Sequence, residues 1–141
     1  MKPLNRGPDA TLVPMDKVAK KVLIVEDDNL LLVTLTHQFE DAGYTVFPAN
    51  NGETGFELFF KEKPDAVVMD VMMPRKDGVE MLEEIRAKDP TTTVPFIVLS
   101  NANDMDYVAR SMSQGAVAYL LKSDRQIDSV VKLVDEKISQ A

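Results

Sequence analysis

Three acidic residues in a row, Glu26, Asp27 and Asp28, follow the apolar run at 22–25, and three other polar residues close later apolar runs: Asp70, Ser100 and Lys122. Carboxylates gathered in one crevice repel one another unless a cation lies between them, and hard oxygen ligands with room for water suit Mg²⁺. Magnesium that keeps its waters and takes few protein carboxylates is typically completed by phosphate, so such a site receives phosphoryl oxygens. Asp70, set between an apolar run and a Met-Met-Pro turn, would then stand beside the metal as a nucleophile toward phosphorus. Lys122 and the Ser100 hydroxyl would supply positive charge and a hydrogen bond to the phosphoryl oxygens. Singly, each residue has an ordinary explanation: Asp27 and Asp28 as cap and first-turn acids, Asp70 as a turn initiator, Ser100 as a cap, Lys122 as a surface cation. Their weight comes from the place they share at the ends of apolar runs.

Those runs, at 22–25, 44–47, 66–69, 96–99 and 117–121, read as five strands alternating with segments of helical period. The helical faces are Leu31, Leu35, Phe39 and Ala42, closed by Gly43; Phe56, Phe59 and Phe60 before Pro64; Val79, Leu82 and Ile85 before Pro90; Val108, Ala109 and Met112 before Gly115; and Ile127, Val130, Val131, Val134 and Ile138. Five strands alternating with five helices predict an α/β doubly wound parallel sheet, whose ligand crevice lies at the carboxyl ends of the strands. Function is therefore expected just after each strand.

With 141 residues the chain fits one domain, predicted over 20–141 behind a flexible leader at 1–19 that is either a docking arm or a start-site remnant. There is no cysteine and one histidine, which excludes disulfide frameworks, thiolate zinc sites and multi-histidine metal centres. A net charge of -7 argues against nucleic acid or anionic membrane as partner, and the sequence reads as cytoplasmic, with neither a secretory signal nor a membrane span.

The chain resembles the response-regulator receiver domains of two-component signalling, the CheY-like domains, over residues 20–141. The resemblance rests on Val-Leu-Ile-Val-Glu-Asp-Asp at 22–28, Pro-Asp-Ala-Val-Val-Met-Asp-Val-Met-Met-Pro at 64–74, Asp-Gly at 77–78, Phe-Ile-Val-Leu-Ser at 96–100 and Gly-Ala-Val-Ala-Tyr-Leu-Leu-Lys at 115–122. It implies a flavodoxin-like (βα)5 sheet of order 2-1-3-4-5. Asp70 would accept a phosphoryl group from a histidine kinase or phosphotransfer protein. Mg²⁺ would be held by Glu26, Asp27, Asp70 and the Met72 carbonyl; Ser100 and Lys122 would bind the phosphoryl oxygens, and Tyr119 would report the switch. The protein would be a switch and not a turnover enzyme. It would present its fourth helix, fifth strand and last helix to a downstream protein or, on phosphorylation, to a second copy.

Five residues that depart from the family pattern bear on the site. Glu26 stands for the commoner aspartate, which keeps metal binding. Asn101 replaces a small residue beside Ser100, crowding the site or adding a hydrogen bond. Ser123 replaces a proline that follows a cis peptide; a non-proline cis bond costs ~3 to 4 kcal/mol, so the bond is either trans with the loop rearranged or cis and strained. Met72 and Ala102 replace polar groups that orient the hydrolytic water, so an Asp70 phosphate should turn over slowly. A phosphorylation-independent module of the same fold is the alternative, supported by Asn101 and Ser123. A flavin or nucleotide site is disfavoured by the Glu-Asp-Asp loop, which repels phosphate. His37 as a phosphotransfer histidine would need a helical bundle.

Overall fold

The computed structural model of the chain describes residues 19–73, 75–101, 103–123 and 125–141. Nearly all of the predicted leader, together with Pro74 and Ala102, lies outside the described residues. The strands are β1 (Lys21–Val25), β2 (Thr45–Ala49), β3 (Ala66–Asp70), β4 (Phe96–Ser100) and β5 (Ala118–Leu121). Between and after them run α1 (Asn29–Asp41), α2 (Gly52–Glu62), α3 (Gly78–Lys88), α4 (Met105–Ser113) and α5 (Val130–Gln140), with a 3-10 turn at Arg125–Ser129 ahead of the last. All neighbouring strands pair in parallel in the order β2-β1-β3-β4-β5, as expected of a doubly wound sheet.

The alternation of side chains along each strand divides the core in two. Leu23, Val25, Val67, Met69, Phe96 and Val98 face α2, α3 and α4 and pack with Phe59, Leu82, Ile85 and Val108. Val22, Ile24, Val68, Ile97 and Leu99 face α1 and α5 and pack with Leu35, Phe39, Val130 and Val134. The three central strands are thus wanted on both faces, which is why they read as unbroken apolar runs. Edge strands β2 and β5 are only partly covered.

Local details correct the sequence reading. The second strand begins at Thr45 and runs through Pro48 to Ala49; a proline is admissible there because β2 is an edge strand. Tyr44 precedes it, buried, with its ring edge-on to Phe39 and its hydroxyl donating to Asp135 on α5. In α4 the inner face is Val108 and Ser111, three residues apart, while Ala109 and Met112 are turned outward; the Ser111 hydroxyl is satisfied by the Tyr107 carbonyl at 3.0 Å. Ala42 is the exposed C-cap of α1, not part of its buried stripe, and Ile127 belongs to the 3-10 turn. Gly43 closes α1 as expected, with φ +95.

Candidate functional site

Parallel register carries the polar residues to one edge. Val25 pairs with both Ala49 and Met69, so Glu26 and Asp70 emerge side by side. Asp70 is level with Leu99, and Ser100 with Leu121, so Ser100 and Lys122 follow at the same edge. Glu26 is fully buried, held by its own N–H donating to the Ala49 carbonyl at 2.9 Å, and its Oε2 accepts the Asp28 N–H at 3.0 Å. Asp28 caps α1, accepting from the Leu30 and Leu31 N–H groups, and so turns away from the cluster while Asp27 joins it.

Glu26, Asp27 and Asp70 each offer an oxygen within 4.8 Å of the others. Lys122, only 16% exposed at its side chain, reaches in with Nζ 2.7 Å from Asp70 Oδ2, 2.9 Å from Glu26 Oε1 and 3.2 Å from Oε2. The other Asp70 oxygen, Oδ1, accepts the Met72 N–H at 3.1 Å. Burial pushes the Glu26 carboxyl up to about 7, and the neighbouring Asp70 charge adds to that. Burial likewise raises Asp70, against the opposing hydrogen bond from Lys122. Burial works against the Lys122 ammonium, but its bonds to Asp70 and Glu26 outweigh it and hold its pKa above the ordinary value.

This donor set fits a divalent cation. Among the described residues, two carboxylates are buried against a single ammonium, and Glu26 Oε1, inside the ion pair, accepts no hydrogen bond. A buried carboxylate oxygen with unused acceptor capacity is costly and is what a hard, oxygen-seeking ion would relieve. Chemically, the corner holds a desolvated carboxylate next to an ammonium, the arrangement needed to receive an electrophile bearing negative oxygens.

The remaining expected site residues are less converged. Ser100 is buried, but its hydroxyl donates to the Asn101 carbonyl at 2.7 Å. Tyr119, on edge strand β5 level with Val98, is 42% exposed. Asn101 and Ser123 are exposed and line a groove of about 470 Å³ with Asp28, Leu30, Leu31, Thr34 and Lys122. Ala102 is outside the described residues. The Lys122–Ser123 peptide is trans, deciding between the two forms left open by the missing proline.

Residues 22–134 match the family model of the response regulator receiver domain. The chain belongs to that family. The receiver domain is 39% identical over 106 residues to the transcriptional regulatory protein PdtaR of Mycobacterium tuberculosis, a match covering 74% of this chain and 50% of PdtaR. It is 31% identical over 103 residues to sporulation initiation phosphotransferase F of Bacillus subtilis, covering 73% and 82%. Among solved structures it is similar to the receiver domain of a signal transduction histidine kinase from Syntrophus aciditrophicus (TM-score 0.76, 28% identity, 87% of this chain and 92% of that one). A response regulator receiver domain protein from Clostridium thermocellum is similar too (TM-score 0.77, 25% identity, 86% and 95%). The chain spans about half the length of PdtaR and of other curated relatives it matches. Among the described residues no helix of the receiver domain is long and apolar enough to cross a membrane.

The sequence reading missed the contacts behind the site. Asn51 is buried and caps α2. The Gly52 N–H donates to the Lys76 carbonyl, and Gly78 lies against the Asp70 backbone. The sequence signals were a glycine directly after Asn51, readable as an ordinary turn residue, and the Asp-Gly pair at 77–78, which entered only as part of the family resemblance.

Proposed function

We propose that this receiver domain is a phospho-acceptor switch in a two-component phosphorelay, with Asp70 as the acceptor. An Asp70 carboxylate oxygen forms a bond to phosphorus as the P–N bond of a phosphohistidine on a histidine kinase or phosphotransfer protein breaks, the electron pair returning to the imidazole. The observation that carries this reading is Lys122 Nζ at 2.7 Å from Asp70 in a corner where three carboxylates converge. Glu26, Asp27, Asp70 and the Met72 carbonyl would hold Mg²⁺, which when bound supplies charge neutralisation for the incoming phosphoryl oxygens. Lys122 would exchange Asp70 for a phosphoryl oxygen. Ser100 must release the Asn101 carbonyl to donate there, and that rotation couples the site to β4, β5 and α4. The exposed Tyr119 and the surface of α4, β5 and α5 would then present a changed face to a downstream protein or a second copy. The groove lined by Leu30, Leu31, Thr34, Asn101 and Ser123 opens beside Lys122 and suits the donor protein. With Met72 and Ala102 lacking polar groups to orient water, the aspartyl phosphate should be long-lived, as befits a cytoplasmic switch without turnover.

Intact-mass analysis after incubation with acetyl phosphate and Mg²⁺ tests the reading. One phosphoryl adduct, lost in Asp70→Asn and with a chelator, is the expected result. A folded protein that takes no adduct and binds no Mg²⁺ would establish instead a phosphorylation-independent module, which the engagement of Ser100 with Asn101 favours.

A further inference from the structure

The short segment from Ala49 to Gly52 touches both halves of the acidic corner. At one end the Ala49 carbonyl accepts the Glu26 N–H at 2.9 Å; at the other the Gly52 N–H donates to the Lys76 carbonyl at 3.0 Å. Between them Asn51 is buried and its side chain accepts the Thr54 N–H at 2.9 Å, so the segment is rigidly joined to α2. Lys76 lies between Asp70 and the start of α3, in the stretch that also carries Met72. That stretch is held at a second point by Gly78, whose N–H donates to the Val71 carbonyl at 3.3 Å. Both glycines are there for space. A Cβ on Gly52 would come within 2.2 Å of the Lys76 carbonyl oxygen, and one on Gly78 within 2.2 Å of the Asp70 carbonyl oxygen; in each case the obstacle is backbone, which no rotamer change relieves. Side chains reinforce the first contact: Arg75, at φ +70, donates from Nε to Glu53 Oε1 at 3.0 Å, and Lys76 Nζ stands 5.1 Å over the Phe56 ring.

We propose that Gly52 is a positioning residue for phosphorylation: as the link between the 49–52 segment and Lys76, it sets where the Met72 N–H meets Asp70. The inference rests on Asp70 being the acceptor. Met72 and Lys76 lie within the one loop that the Gly78 N–H closes onto the Val71 carbonyl, so a push on the Lys76 carbonyl strains the loop that carries the Met72 N–H. The Asp70 carboxylate then loses the bond that orients Oδ1, and the carboxylate pair no longer presents its oxygens to one ion.

The test compares wild type, Gly52→Ala and Gly55→Ala. A Cβ on Gly55 would meet Met81 Sδ at 2.8 Å and Val25 Cγ2 at 2.9 Å, so Gly55→Ala strains the core beneath the same helix without touching Lys76. Three quantities are read on folded protein: the Met72 amide resonance without metal, Mg²⁺ affinity by calorimetry, and the rate of labelling by acetyl phosphate. Gly52→Ala is expected to move the Met72 amide, weaken Mg²⁺ binding about tenfold and slow labelling about tenfold; Gly55→Ala is expected to lower the unfolding midpoint, leave the Met72 amide in place and keep affinity and rate within twofold. Gly52→Ala with an unmoved Met72 amide and with affinity and rate within twofold of wild type, or Gly55→Ala matching its losses, overturns the inference. Should Gly52→Ala not fold, Glu53→Arg decides, since it sets like charge against Arg75: slowed labelling with a shifted Met72 amide supports the link, and unchanged values overturn it. A wild-type protein that takes no label refutes the acceptor role itself, whereas a labelled wild type with an equally labelled Gly52→Ala refutes only the positioning.

Discussion

At the scale of single residues, the site is a contest between burial and charge. Glu26 and Asp70 sit where water cannot solvate them, and one ammonium serves both. The consequence is a stability that depends on pH in a particular direction. The Glu26 carboxyl stands at about 7 in the folded chain against 4.5 for the free group, so its contribution to stability is full below about pH 4.5 and is lost as the pH rises through about 7. Asp70 is shifted the same way. Glutamine cannot ionise, so in metal-free protein the stability of wild type relative to Glu26→Gln should fall by on the order of 1 to 3 kcal/mol between pH 5 and pH 8. Urea unfolding at several pH values measures this, and a difference that stays constant refutes it. Adding Mg²⁺, which binds the ionised carboxylates, should restore wild-type stability at pH 8 and do much less for Glu26→Gln.

At the scale of elements, glycine does two unlike jobs. Gly43 follows α1 at φ +95 in open space, so a side chain there meets no atom and suffers only from backbone conformation. Gly43→Ala should therefore cost about 1 kcal/mol, seen in the unfolding midpoint, and leave Mg²⁺ affinity unchanged. Gly52 is the reverse case, with nothing demanded of its φ and no room for a Cβ. The helix starts show similar variety. Asp77 and Glu80 form a reciprocal capping box on α3, which fixes where the helix leaves the acidic corner, whereas α4 begins at Asp104 with no side-chain cap bond. The helix on the expected switching surface is thus the more weakly tied at its start, and Asp77→Ala should cost about 1 kcal/mol while Asp104→Ala costs little, by urea unfolding of both variants.

At the scale of the molecule, the sheet separates two cores that share only the backbone between them. The face bearing α2, α3 and α4 carries the contacts behind the site, and the face bearing α1 and α5 is tied by Tyr44 to Asp135. Burial and the Asp135 carboxylate raise the tyrosine's pKa, so it donates as a neutral phenol at and well above neutral pH. Tyr44→Phe should lower stability by about 1 kcal/mol and leave labelling by acetyl phosphate at the wild-type rate, because this tie lies on the opposite face from Gly52 and Lys76. A labelling rate that falls with it would mean the two faces are coupled.

What the sequence determined by itself was the alternation of five strands and five helices, the double winding, and the convergence of Glu26, Asp27, Asp70 and Lys122 at one edge. Apolar runs wanted on both faces and helical stripes between them admit one layered solution, and parallel strands necessarily bring their carboxyl ends together. It could not determine where contacts depend on distance and not on pattern. Pro48 within a strand, Ser111 in place of Met112 on the inner face of α4, and Asp28 turned to cap α1 were each decided by neighbours far along the chain. The same holds for the trans peptide after Lys122, where a missing proline left both forms open. The link from Glu26 through Ala49 and Gly52 to Lys76 is wholly tertiary: it consists of backbone groups, which every residue possesses, brought together at a spacing that only the packed α2 and β3 create.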